Sequence, residues 1–231
     1  MEDRKIFAAS AARLSTACIA LLLLMSGCNK NDTPSNDASR TKSPLTSTAE
    51  FTSLFARAAE KLTPLVQTEE PSPRRFNAKE TAEIQSSIAD LEACVAYSTE
   101  HWQSMVLLAK AHQSLHNHRE SLDWWVKAMK IETANHILPK EASITALHLS
   151  DIDAALRFSA EALRRQPDDP ALMGNHAMNL LIAGRDKEAM AAIITALAFA
   201  PDDAFNQRIS KVIYQVGVGE RARPTCESAL K

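Results

Sequence analysis

A chain of 231 residues that is 45% hydrophobic and 23% charged can bury a core of its own. Its five glycines fall far below the usual share of about 7%. None of Gly27, Gly174, Gly184, Gly217 and Gly219 is spaced for a dinucleotide turn, a phosphate cradle or a nucleophile elbow, each of which needs several glycines at fixed offsets. A formal charge of −2 offers no basic face, so nucleic acid is not an expected partner. Abundant Ala and Leu with scarce Gly favour helix, because straight-chain residues lose little rotamer freedom there, and an all-α protein is predicted.

In chain order, residues 1–27 come first. Arg4, Lys5 and Arg13 precede the apolar run Ala17 to Met25, the pattern of a secretory signal and too short for the roughly 20 residues that cross a bilayer. Leu24-Met25-Ser26-Gly27-Cys28 resembles the lipobox of bacterial lipoproteins. That resemblance implies removal of residues 1–27 and lipidation of Cys28, which becomes the N-terminus. Asn29 after the cysteine is similar to lipoproteins sorted to the outer membrane, so a lipid anchor at its periplasmic face is implied, stable because two or more acyl chains share the load. Residues 28–48, rich in Ser, Thr, Asn, Asp, Lys and Pro, have the composition of a flexible linker.

Two helices are predicted in the 49–101 region, over 49–65 and 77–97, split by Pro71-Ser72-Pro73-Arg74-Arg75. They read as a cap or a diverged repeat. A regular spacing follows. Ala128, Ala162 and Ala196 recur at one constant interval, as do Met129, Leu163 and Leu197; Ser121, Ala155 and Ala189; and Trp125, Ser159 and Ile193. Gln166-Pro167-Asp168-Asp169 recurs at the same interval as Ala200-Pro201-Asp202-Asp203. A period of about 34 resembles the tetratricopeptide repeat (TPR), a helix-turn-helix unit, best matched where Gly184-Arg185-Asp186-Lys187-Glu188-Ala189 forms the inter-helix turn. Small Ala109, Ser143 and Ala177 let paired helices approach. Pro167 and Pro201 stop one helix, and the aspartates after them cap the next. Three repeats result, 102–135, 136–169 and 170–203, with His116 and Ser150 replacing the turn glycine and Thr133 the proline. Residues 204–216, with Tyr214, form a capping helix that closes a 102–217 TPR domain, and 218–231 is a C-terminal tail. The predicted fold class is an all-α, TPR-type α-solenoid of antiparallel helix pairs.

His112, His116 and His118 raise a metal-dependent enzyme as one reading, but the last two fall in a turn and no cysteine stands near. Trp125 reads as core. Carboxylates are scattered singly and no Ser, His and Asp suggest a triad, so neither catalysis nor a cofactor is expected. Cys94 and Cys226 would meet an oxidising compartment, but stacked repeats would hold them far beyond the ~7 Å a disulfide allows. The TPR resemblance places a partner-binding groove on the first helix of each pair, at Gln103, Val106, Lys110, Gln113, Lys140, Ile144, Leu147, Asn175, Met178, Leu181 and Arg208. This mixed apolar and basic wall suits an extended or helical segment of a protein partner and lacks the carboxylate clamp of chaperone-binding TPR proteins. TPR lipoproteins of this layout imply a role in assembling a pilus or secretion system. A scaffold for peptidoglycan-processing enzymes is the alternative within the same class.

Overall fold

The computed structural model describes residues 45–66 and 75–230, and every regular element among them is an α-helix. The 1–27 leader, Cys28 and most of the 28–48 linker lie outside the described residues. Two long helices, α1 (Thr48–Val66) and α2 (Ala78–Tyr97), come first. Three shorter pairs follow: α3 (Trp102–Ser114) with α4 (His118–Ile131), α5 (Ile137–His148) with α6 (Ile152–Arg165), and α7 (Pro170–Ile182) with α8 (Asp186–Phe199). α9 (Ala204–Gly217) closes the row and a short α10 (Cys226–Ala229) ends it. Each helix from α1 to α8 packs on the next, α1 also reaches α3, and α7 also reaches α9.

The turns inside the pairs repeat one geometry. His116, Ser150 and Gly184 all sit in the left-handed region, at φ of 60°, 56° and 78°. Around each, two backbone bonds close the helix end: Asn117, Asp151 and Arg185 donate to the carbonyls of His112, Ala146 and Leu180, while His116, Ser150 and Gly184 donate to Gln113, Leu147 and Leu181. These satisfy carbonyls that a helix terminus leaves without partners. Only Gly184 adopts this conformation without Cβ strain.

The starts of the first helices share a position too. His101, Asn135, Asp169 and Asp203 stand one repeat apart, and each side chain accepts a backbone N–H of the helix it precedes, from Ser104, Ile137, Ala171 with Leu172, and Asn206. Capping at this position is worth about 1 kcal/mol. Where Thr133 replaces the terminating proline, another device stops α4. The Glu132 carboxylate accepts the amides of Ala134 and Asn135, and Arg165 donates to the carbonyls of Glu132 and Asn135 at 3.0 Å each.

Among the described residues, three apolar clusters run along the stack: one between α1, α2 and α3, one around Trp125, and a third from α5 to α10. Cys94 lies in the first and Cys226 in the third, so no disulfide joins them. Gly174 is needed for close approach. A Cβ there would collide with Oδ1 of Asn206, whose Nδ2 donates to the Pro170 carbonyl and docks α9 on α7. Tyr214 on α9 is exposed, on a helix that has no second member of a pair to cover it.

The segment that the sequence marks as a C-terminal tail is docked on the repeats. It is no free appendage: α10 packs back on α5, and Cys226 and Ala229 are buried in the third cluster.

Candidate partner-binding face

The proposed wall lies by register on one side of α3, α5, α7 and α9, and its residues sort into three groups. Gln103, Gln113 and Ile144 are half-buried and Arg208 is exposed, so these four can meet a partner. Val106 and Met178 are 2% exposed and belong to the apolar clusters, so they are core rather than wall, while Leu147 and Leu181, equally buried, share a cluster with the C-terminal segment. Lys110, Lys140 and Asn175 are also buried, at 9%, 2% and 7% exposure, and form the polar part of the junctions between repeats.

The lysines converge on a residue that sequence reading missed. Nζ of Lys110 lies 3.4 Å from one carboxylate oxygen of Glu141, and Nζ of Lys140 lies 3.8 Å from the other. Lys110 also stands 5.6 Å from the centroid of the Trp125 ring, an attractive cation–π geometry. Burial pushes the Glu141 carboxyl pKa upward, but the two ammonium charges and the Lys110 hydrogen bond outweigh it, and the net direction is down. Glu141 is therefore an anion held by two cations. Register could have found it, because Leu107, Glu141 and Asn175 stand one repeat apart and Asn175 was already on the wall.

At the next junction the polar groups are neutral. The Ser143 hydroxyl donates to the Ala155 carbonyl at 2.9 Å, and Nδ2 of Asn179 donates to Ser143 Oγ at 2.9 Å, tying α5, α6 and α7 together. Ser159 occupies the position that Trp125 and Ile193 fill in the other repeats. Its hydroxyl pairs with Nδ1 of His176 at 2.7 Å. The missing bulk leaves a small depression lined by Lys140, Ser143, Ile144, Ser159, Ala162, Leu172 and Asn175, into which Ile144 opens the wall.

The histidines take another arrangement than a metal set. His118 stacks face to face on His148, with ring centroids 4.3 Å apart and planes within 5°, and His116 meets His118 edge-on at 5.8 Å. Burial, then the neighbouring imidazoles, lower the His148 pKa to about 4, and burial lowers those of His112 and His118. Among the described residues no group of three or more His, Cys, Asp or Glu side chains is placed to hold a metal ion.

No family model matches the chain. No curated protein matches its sequence either. Solved structures do match its architecture. YrrB, described as a TPR protein with an unusual peptide-binding site, superposes with a TM-score of 0.53 over 66% of this chain and 75% of that protein, at 16% identity. MamA superposes with a TM-score of 0.60 over 74% of this chain and 83% of its own, at 10% identity. A MamA fragment from Desulfovibrio magneticus RS-1 gives 0.53 over 64% and 80%, also at 10% identity. The fold is that of a TPR solenoid. Identities this low carry the architecture alone, so the chemistry of this chain rests on its own side chains.

Proposed function

We propose that this TPR protein is an adaptor, anchored through a lipid on Cys28 to the periplasmic face of the outer membrane, that docks a protein segment and assists assembly of a pilus or secretion system. The observation that carries the docking role is the mixed row left accessible on the first helices: Gln103 and Gln113 on α3, Ile144 over its depression on α5, and Arg208 on α9. An apolar anchor flanked by amide and cationic groups fits an amphipathic partner segment, with the anchor supplying affinity and the polar groups setting position. The anchor and the compartment rest on the lipobox resemblance at Leu24 to Cys28.

Charge reversal at Lys110 or Lys140 is a poor probe of this face, because it would bury additional carboxylates against Glu141 and unfold the junction. The cleaner test places a photo-crosslinking residue at Gln113 or Ile144 in the full-length protein in cells, with and without Arg208→Glu, and identifies what is captured. Secretin or pilus subunits, reduced by the Arg208 change, are expected. Peptidoglycan hydrolases or synthases would redirect the reading to their scaffold. Absence of a defined partner at both positions would refute the adaptor. Cys28→Ala should shift the protein from the membrane to the soluble periplasmic fraction.

A further inference from the structure

The segment after α9 is the part that the repeat does not explain. The end of α9 has the turn seen inside each pair, with Gly219 at φ 77°, Glu220 donating to Gln215 and Gly219 to Val216. The chain then turns back along the molecule instead of starting a second helix of a pair. Arg223 fixes its course: Nη1 donates to the Leu181 carbonyl at 2.6 Å and to the Asp186 carboxylate at 2.5 Å, and Nη2 reaches the other carboxylate oxygen at 3.0 Å. Thr225 and Ser228 form a capping box that starts α10. Cys226 and Ala229 are then buried in the cluster that holds Leu147 and Leu181, and Leu230 packs against it.

Register distinguishes the helices that this segment reaches. Gln113, Leu147, Leu181 and Gln215 occupy one position in four successive first helices, each one repeat from the next. The two glutamines are half-buried, whereas Leu147 and Leu181 are sealed. Leucine thus stands at this position in α5 and α7, the two helices that the tail reaches through α10 and Arg223, and glutamine stands in the helices that flank them. The position is a half-buried glutamine in the outer helices and a buried leucine in the two helices that the tail contacts.

We infer that residues Arg223 to Leu230 are a built-in occupant of the docking face over α5 and α7, and that a protein partner binds there by displacing them with a segment of the same chemistry. That segment is a short helical stretch with apolar side chains three and four residues after the first, as Cys226, Ala229 and Leu230 are spaced, and an arginine three residues before the first. The inference rests on the reading of this face as the docking surface. A tethered occupant acts at an effective concentration in the millimolar range, so a partner in trans meets only the fraction of molecules whose tail is released.

The test titrates a fluorescent peptide of residues 219–231 into the full chain, into a chain ending at Gly219, and into full chain carrying Arg223→Glu, which sets two carboxylates against each other at Asp186. The expected result is binding at least tenfold tighter to the shortened chain and to the Arg223 variant than to the unaltered protein, abolished by Ala229→Asp in the peptide. Equal binding to all three, or none to either altered protein, overturns the inference. If the shortened chain does not fold by circular dichroism, the Arg223 variant alone decides. A full chain that sediments as a dimer and becomes monomeric on shortening would make the tail a strap between copies and overturn it as well. Photo-crosslinking of a partner at Ile144 despite these failures leaves the adaptor standing and removes only the tail. Peptide binding as expected with no captured partner removes the adaptor and leaves the tail as a self-contact.

Discussion

The junction between the first and second repeats and the junction between the second and third use one backbone unit and close it with opposite chemistry. The first buries charge: Lys110 lies between the Trp125 ring and Glu141, with Lys140 on the other carboxylate oxygen. The second buries neutral hydrogen bonds from Ser143 and Asn179, and its leucines are sealed in one cluster with the tail. Buried ion pairs give little net stability because desolvation offsets the attraction, yet removing one partner leaves uncompensated charge in the core. The first junction is therefore the one that a single isosteric change, or acid, can open.

Glu141→Gln breaks the comparison most strongly. It leaves two buried ammonium groups facing a neutral amide, and unfolding by urea should show a loss of about 3 kcal/mol. The sign with pH follows from the depressed pKa: Glu141 contributes stability above the ordinary carboxylate range and loses it as pH falls through its lowered folded value. The variant should lack this acid-sensitive component, and equal pH profiles for variant and parent would contradict the assignment.

The contact between the third repeat and the capping helix should respond to volume instead. Gly174→Ala drives a methyl group into Oδ1 of Asn206, so Asn206 must give up its bond to the Pro170 carbonyl or α9 must shift. A cost of about 1–3 kcal/mol is expected, with hydrogen exchange rising first in α9. A loss confined to α3 and α4 would be inconsistent with it.

The contrast was only half visible in the sequence. The repeat period located the pairs, and alignment on Gly184 marked His116 and Ser150 as standing at the turn-glycine position, where the structure holds them at positive φ. Lysine at 110 and 140 reads as surface, because nothing local reveals that a glutamate beside Lys140 gathers both ammonium groups across two helices. Val106 and Met178 were misplaced because half a turn separates a wall position from a core position on these nearly all-apolar helices. Tail docking was hidden for another reason: a mixed segment with one short helix carries no period, and Arg223 finds Asp186 and Leu181 only through the fold. The lipobox falls outside the described residues and stays a sequence argument.

Acid sharpens the comparison a second way. With its pKa lowered to about 4 against an ordinary 6.5, His148 stays neutral in the folded protein while the unfolded chain takes up a proton. Stability should therefore be full above about pH 6.5 and fall progressively toward pH 4 as the unfolded state binds the extra proton. His118, stacked on it, adds in the same direction. His148→Asn should flatten this limb of the curve of Tm against pH, and an unchanged slope would mean that the stack does not titrate with folding.

The smallest expected effect tests whether the repeats share one turn. Ser150 holds φ 56° where the third repeat has Gly184 at 78°, and the backbone bonds on either side are the same. An L-residue in the left-handed region carries about 1 kcal/mol of Cβ strain, while glycine gives part of that back through the greater freedom of its unfolded chain. Ser150→Gly should therefore stabilise by about 0.5 kcal/mol, and Gly184→Ser should destabilise by a similar amount. His116→Gly should gain slightly less, because it also removes the ring packed edge-on against His118. If Ser150→Gly destabilises instead, the serine side chain stabilises the turn in a way that the shared geometry does not require. The three repeats would then be alike in backbone and different in what holds each turn.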